Sequence, residues 1–149
     1  MIFRFNLLML IIVVLSSCNK ATEPNSEVIS DPQSRWQAYG LKNYSIDQQL
    51  NCFCVNGGRW VKVVVKDNQV VNVVDVSNDS SLVMNQWAQY KSVDQLFTII
   101  RSINKDSVAL FRVEYDSTYG YPKSFYVDPS SHIADEEYGY NSNNLVRAN

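Results

Sequence analysis

The chain has 149 residues, with 13 Lys and Arg against 15 Asp and Glu, and a net charge of −2. That length fits one domain, and a domain near this size buries about 68–70% of its unfolded surface, enough for a hydrophobic core. No run of basic residues is present, so the clustered charge that phosphate binding needs is missing and nucleic acid is excluded as a partner.

Phe3, Arg4 and Phe5 form a short head with one positive charge, and Leu7 to Leu15 make an apolar run of nine residues. A membrane-spanning helix needs about 20 such residues. Nine suits the apolar region of a secretory signal, which is removed and takes no part in the fold. Leu15-Ser16-Ser17-Cys18 closes the run. It resembles a bacterial lipoprotein signal, in which the cysteine after two small residues is lipidated and becomes the new N-terminus. The expected organisation is a signal peptide over 1–17, a lipid-anchored tether over 18–30 and a single domain over 31–149. Each buried CH₂ of an acyl chain contributes about 0.8 kcal/mol, and two chains make a stable anchor. Lipidated Cys18 would therefore hold the chain at a membrane in the cell envelope. By the same resemblance, Asn19 in place of an aspartate favours the outer membrane if the organism is Gram-negative. Residues 19–30 are mostly polar, lack aromatics and contain Pro24. They read as a flexible tether with a reach of roughly 20 Å.

Asp31-Pro32 is a helix start, with Asp31 as N-cap and Pro32 at the first helical position. Trp36 and Tyr39 give the short helix its apolar stripe, and Gly40 ends it. From Tyr44 the period changes from 3.6 to 2. Tyr44, Ile46, Leu50, Cys52 and Cys54 point to one side of a strand, and only Gln48 breaks that face. Gly57-Gly58 makes a turn. Trp60 to Lys66 and Gln69 to Val76 follow as strands, joined at Asp67-Asn68 by a two-residue turn with positive φ at both positions. That register pairs Val65 with Val70, Val63 with Asn72 and Val61 with Val74. It sets Val61, Val63, Val65, Val70 and Val74 toward the core, with Lys62 and Asp75 outward. Residues 77–91 read as a loop with a helical turn around Met84 to Tyr90. Ser92 and Gln95 form a capping box, and Val93, Leu96, Phe97, Ile100 and Ile103 make the apolar face of a second helix. Strands then cover Ala109 to Tyr115, Lys123 to Asp128 with Phe125 and Val127 inward, and Asp135 to Asn141. The order α-βββ-α-βββ predicts an α+β fold, an antiparallel sheet of about six strands with both helices packed on one face.

The Cys-Phe-Cys strand end at Cys52 to Cys54, the Ser92-Val93-Asp94-Gln95-Leu96-Phe97 helix start and the hairpin from Tyr115-Asp116 to Gly120-Tyr121-Pro122 occur in that order. Asp128 and Asp135-Glu136-Glu137 follow. The combination resembles a family of uncharacterised bacterial lipoproteins, classed as a domain of unknown function, over roughly Trp36 to Leu145. The resemblance implies an envelope protein and brings no activity, cofactor or catalytic residue with it.

Three residue sets could carry chemistry. With Cys18 taken by lipid, Cys52 and Cys54 remain. In an extended strand their Cα atoms would be about 6.6 Å apart, inside the disulfide range of roughly 4.4–6.8 Å only at its upper end. A disulfide therefore requires a bend. The alternatives are two buried thiols acting as small hydrophobes, or thiol-based or metal-dependent activity. Zinc lacks partners, because His132 is the one histidine and no third cysteine remains. Asp116, Asp128, Asp135, Glu136 and Glu137 form an acidic set. If they met at one edge they could hold Ca²⁺ or act as a general acid and base; otherwise Asp116 and Asp128 end strands by turn chemistry. Tyr119, Tyr121 and Tyr126, with Tyr138 and Tyr140, could present a surface for a protein or glycan partner, or could cover the sheet as cross-strand pairs. No nucleophile elbow or phosphate loop is present. These readings predict a non-enzymatic, cofactor-free binding or structural module tied to a membrane, with Cys52/Cys54 activity as the alternative.

Overall fold

The computed structural model of the chain describes residues 30–148. Cys18, its signal and the tether through residue 29 lie outside the described residues. Helix α1 (Pro32–Tyr39) is followed by strands β1 (Tyr44–Cys52), β2 (Trp60–Lys66) and β3 (Gln69–Asp75), a 3-10 helix (Met84–Gln89) and helix α2 (Val93–Ser102). Strands β4 (Leu110–Tyr115), β5 (Pro122–Asp128) and β6 (Tyr138–Arg147) complete the chain. All six strands form one antiparallel sheet in the order β3-β2-β1-β6-β5-β4.

The α+β expectation is corrected: the domain is mainly β. Helical residues make up about a fifth of the described chain, and among the described residues no layer of two packed helices exists. The reason is the size of α1. It spans eight residues and buries only Trp36, so it fastens one end of the sheet without covering it. Helix α2 does the covering. Its apolar residues Val93, Leu96, Phe97 and Ile100 are all buried, against a sheet face carrying Tyr44, Ile46, Leu50, Val61, Val63, Val65, Phe125 and Val127.

Local capping chemistry sets the helix ends. Asp31 accepts a hydrogen bond from the Ser34 backbone N–H at 2.7 Å. Gln95 Oε1 accepts from the Ser92 N–H at 2.8 Å, and the Gln95 N–H donates to Ser92 Oγ at 3.4 Å. The first amide of α2, Val93 N–H, donates to the buried Tyr44 hydroxyl at 2.8 Å, which ties helix to sheet. Gln48 is fully buried on the apolar face. Its Nε2 donates to the Lys91 carbonyl at 2.6 Å and its Oε1 accepts from the Lys91 N–H at 3.2 Å. The one polar residue on that side of β1 thus satisfies the backbone just before the Ser92 cap.

The β2–β3 turn has positive φ at Asp67 (47°) and Asn68 (63°), as its sequence predicts. The register beyond it differs. Val65 pairs with Val70, but a bulge then adds one residue to β3, so Val63 pairs with Val73 and Val61 with Asp75. A bulge reverses which residues face inward. Val73 is buried in place of Val74, and Asp75 turns inside at 5% exposure. There it accepts from the Ser77 N–H and Oγ at 2.8 and 2.6 Å and pairs with Arg59 at 3.3 Å. The last strand also differs. It starts at Tyr138, not Asp135, and runs to Arg147 between β1 and β5. The polar tract Asn141-Ser142-Asn143-Asn144 therefore lies in the middle of the sheet.

Candidate functional site

The sheet has two distinct ends. Cys52 of β1 pairs with Tyr138 of β6, and Val127 of β5 pairs with the same Tyr138. Tyr44, Arg147 and Pro122 mark the other end. Helix α1 begins at that second end, where Arg35 Nη1 donates to the Ser117 carbonyl at 2.7 Å. The two ends are about 26 Å apart along β1.

Beyond Cys52 the strand bends, and Cys52 and Cys54 are joined by a disulfide with Cα atoms 5.3 Å apart. The bend supplies the shortening that an extended strand lacks. Hydrogen bonds hold the segment in place: Gly57 N–H donates to the Cys54 carbonyl at 3.0 Å and Gly58 N–H to the Leu50 carbonyl at 2.8 Å. A Cβ at position 57 would collide with the Cys52 carbonyl oxygen, so glycine is required for this close approach. The disulfide holds Phe53 outward, 83% exposed, and Val55 beyond it is also exposed.

A cleft of about 440 Å³ adjoins this bend, lined by Asn51, Cys52, Phe53, Tyr126, Asp135 and Glu137. Burial first, and then the charges of Glu137 and Asp128, hold the Tyr126 phenol above its ordinary pKa. Arg112 acts in the opposite direction on the same phenol. Glu136 Oε1 is buried without a hydrogen-bond partner. Ile133, in the loop leading to β6, adds a further exposed apolar side chain.

The structure divides the acidic set. Asp128 sits opposite Leu110 at the cleft end, whereas Asp116 follows Tyr115, which pairs with Pro122 at the α1 end. One strand length, about 20 Å, separates them, so the five carboxylates do not meet at one edge. Asp116 instead caps its turn, accepting from the Thr118 and Tyr119 N–H groups at 3.0 and 2.6 Å. Asp128 does the same with Ser130 N–H at 3.0 Å. Asp135 and Glu137 reach the cleft. Among the described residues no group of three or more His, Cys, Asp or Glu side chains could hold a metal ion.

The tyrosine surface also divides. Tyr121 is buried in the core. Tyr119 packs on Tyr39 with ring centroids 4.8 Å apart, and Arg147 lies over both rings. Only Tyr126 reaches the cleft. Phe53 and Asn51 escaped the sequence reading. The clue for Phe53 was its place between two cysteines, because a disulfide across two residues leaves the middle side chain no inward direction.

Residues 29–147 match the profile of a family of unknown function, DUF6174. The chain belongs to that family. Comparison with curated proteins and with solved structures finds no match. The DUF6174 match spans both the cleft and the α1 end, so the geometry above lies within the family's domain. Among the described residues of this DUF6174 chain, no helix is long and apolar enough to cross a membrane.

Proposed function

We propose that this chain is a lipid-anchored, non-enzymatic module of the bacterial cell envelope that binds a protein partner through the cleft beside Cys52–Cys54. The observation that carries the reading is Phe53. It is 83% exposed and held by a disulfide at the end of the sheet opposite to where α1, and so the tether, begins. Val55 in the same bend is 67% exposed, and apolar side chains grouped in solvent, rather than scattered singly, mark an interaction surface. With Cys18 lipidated, that surface lies at the end of the sheet remote from α1, where the tether joins. Asp135 and Glu137 beside it suit a partner segment carrying basic side chains, since charge complementarity steers association.

The test is photo-crosslinking in intact cells. A photoreactive residue in place of Phe53 is expected to give a discrete protein adduct, and one in place of exposed Lys123, at the α1 end, is not. Identical adducts from both positions, or none from position 53, would refute the proposal. Thiol–disulfide exchange at the same pair is a second reading, favoured by the exposure of Cys54. It requires a mixed disulfide with glutathione to accumulate on the native protein, measured by intact mass; a pair that stays closed removes it.

A further inference from the structure

The chain covers one edge of the sheet and leaves the other open. At the β3 edge the backbone returns on itself. Leu82 N–H donates to the Val73 carbonyl and Asp75 N–H to the Ser80 carbonyl, both at 2.8 Å, and Val74 bridges Ser81. Strand β4 forms the opposite edge, and among the described residues no strand or bridge pairs with its outer side. The backbone groups of an antiparallel strand point alternately to its two sides. β4 therefore presents a row of unpaired N–H and C=O groups, which is a template for another chain unless something blunts it.

β4 has no proline or lysine. Glu114 pairs with Ser124 and Tyr115 with Pro122, so the extra residue of the β4–β5 bulge is Lys123 on β5, and β4 itself stays regular. Alternation then puts Phe111, Val113 and Tyr115 on the α2 side, and Arg112 and Glu114 on the open side. The first three pack against the core but are only partly buried. Tyr115 stacks on Phe97 with ring centroids 6.0 Å apart. A groove of about 380 Å³, lined in part by Phe97, Ile100, Ile103 and Tyr115, opens beside it. Arg112 and Glu114 are exposed, and neither is in an ion pair among the described residues. Edge charges repel an incoming strand of like charge. Here the two are opposite in sign and two residues apart, a pattern that complements itself.

We propose that β4 pairs antiparallel with the β4 of a second copy of this chain, about a two-fold axis at Val113. In that register Arg112 faces the second copy's Glu114, and Phe111 faces its Tyr115. The interface is isologous, so each of these pairs forms twice. Directly opposed residues have Cβ atoms about 4.5–5.5 Å apart, close enough for both kinds of pair to stabilise. The second copy's Phe111 comes to lie beside the groove at Tyr115, and ladder hydrogen bonds satisfy the open row. This pairing stands or falls separately from the Cys52–Cys54 cleft and from the lipid at Cys18.

Native mass spectrometry of the full chain, released from detergent, counts the copies in each complex. The wild type is expected as a dimer. Arg112→Glu sets carboxylate against carboxylate at both charge pairs, and Glu114→Arg sets guanidinium against guanidinium. Each should weaken self-association about tenfold or more. Both side chains are exposed, so both variants should fold. Mixed together, the two variants restore opposite charges at both pairs and should form a heterodimer, resolved by mass from either homodimer. Any lipid and the micelle are common to all samples, so the preference for the heterodimer reports on the edge alone. A monomeric wild type overturns the proposal. So does a dimer that both variants retain, or a mixture that shows no preference for the heterodimer.

Discussion

Replacing Gln48 by Leu sets the sequence pattern against the structure. Tyr44, Ile46 and Leu50 line the apolar side of β1, so the pattern alone says that Leu at position 48 completes the face and stabilises. The structure says the reverse. Gln48 satisfies both the N–H and the carbonyl of Lys91, and Leu would leave both without a partner. Each unsatisfied buried group costs about 1–3 kcal/mol. Against a combined loss of ~2–6 kcal/mol stands a gain of at most ~1.5–3 kcal/mol for burying the leucine side chain. The centres of those ranges leave a net loss of about 2 kcal/mol. At roughly 4 °C per kcal/mol for a domain of this size, Tm should fall by about 8 °C. Urea titration followed by tryptophan fluorescence and a parallel thermal melt measure it. An unchanged or raised midpoint for Gln48→Leu would show that the Lys91 backbone finds other partners and that the Gln48 bridge contributes nothing.

Gly57→Ala should destabilise by about 1–3 kcal/mol, because its Cβ meets the Cys52 carbonyl in a segment with little room to yield; chemical denaturation measures the loss, and alkylation under oxidising conditions should find more free thiol. Ser92→Ala removes half of the capping box and should cost about 1 kcal/mol, read from the same denaturation curves. Hydrogen bonds from the Ser77 side chain and backbone, aided by Arg59, hold the Asp75 carboxyl below its ordinary value of 3.8. A depressed folded pKa gives stability that is present above the unfolded value and lost as pH falls through the folded one. Wild-type Tm should therefore drop below about pH 4 more steeply than that of Asp75→Asn; parallel slopes in acid would contradict the inward placement of Asp75.

The features legible in the sequence are those set by local chemistry. Asp31 with Pro32, Ser92 with Gln95, and Asp67 with Asn68 each fix a cap or turn through neighbours a few residues away, and each stands in the structure where the residues put it. Features decided by distant partners were not legible. Nothing near Val71 announces the bulge that turns Val73 and Asp75 inward. The last strand was expected to stop at Asn141, since the β1 partners of Asn141 and Asn144 lie more than 90 residues away. The α+β reading failed for a related reason: it took the existence of α1 as evidence for a helical layer, whereas an eight-residue helix buries one side chain. For the site, Cys52, Cys54, Tyr126 and Asp135 were all candidates, but only the β1–β6–β5 order brings them together. Asp116 and Asp128 looked equivalent because both follow strands, and antiparallel pairing sends them to opposite ends.

The proposed function depends on a lipid at Cys18 placing this sheet beside a membrane. Intact mass spectrometry of the chain extracted from its native cells tests that directly. The account predicts a mature polypeptide beginning at Cys18 and carrying the added mass of acyl chains, converted by Cys18→Ser into a form without them. An unmodified chain, or one cut at another residue, would contradict it.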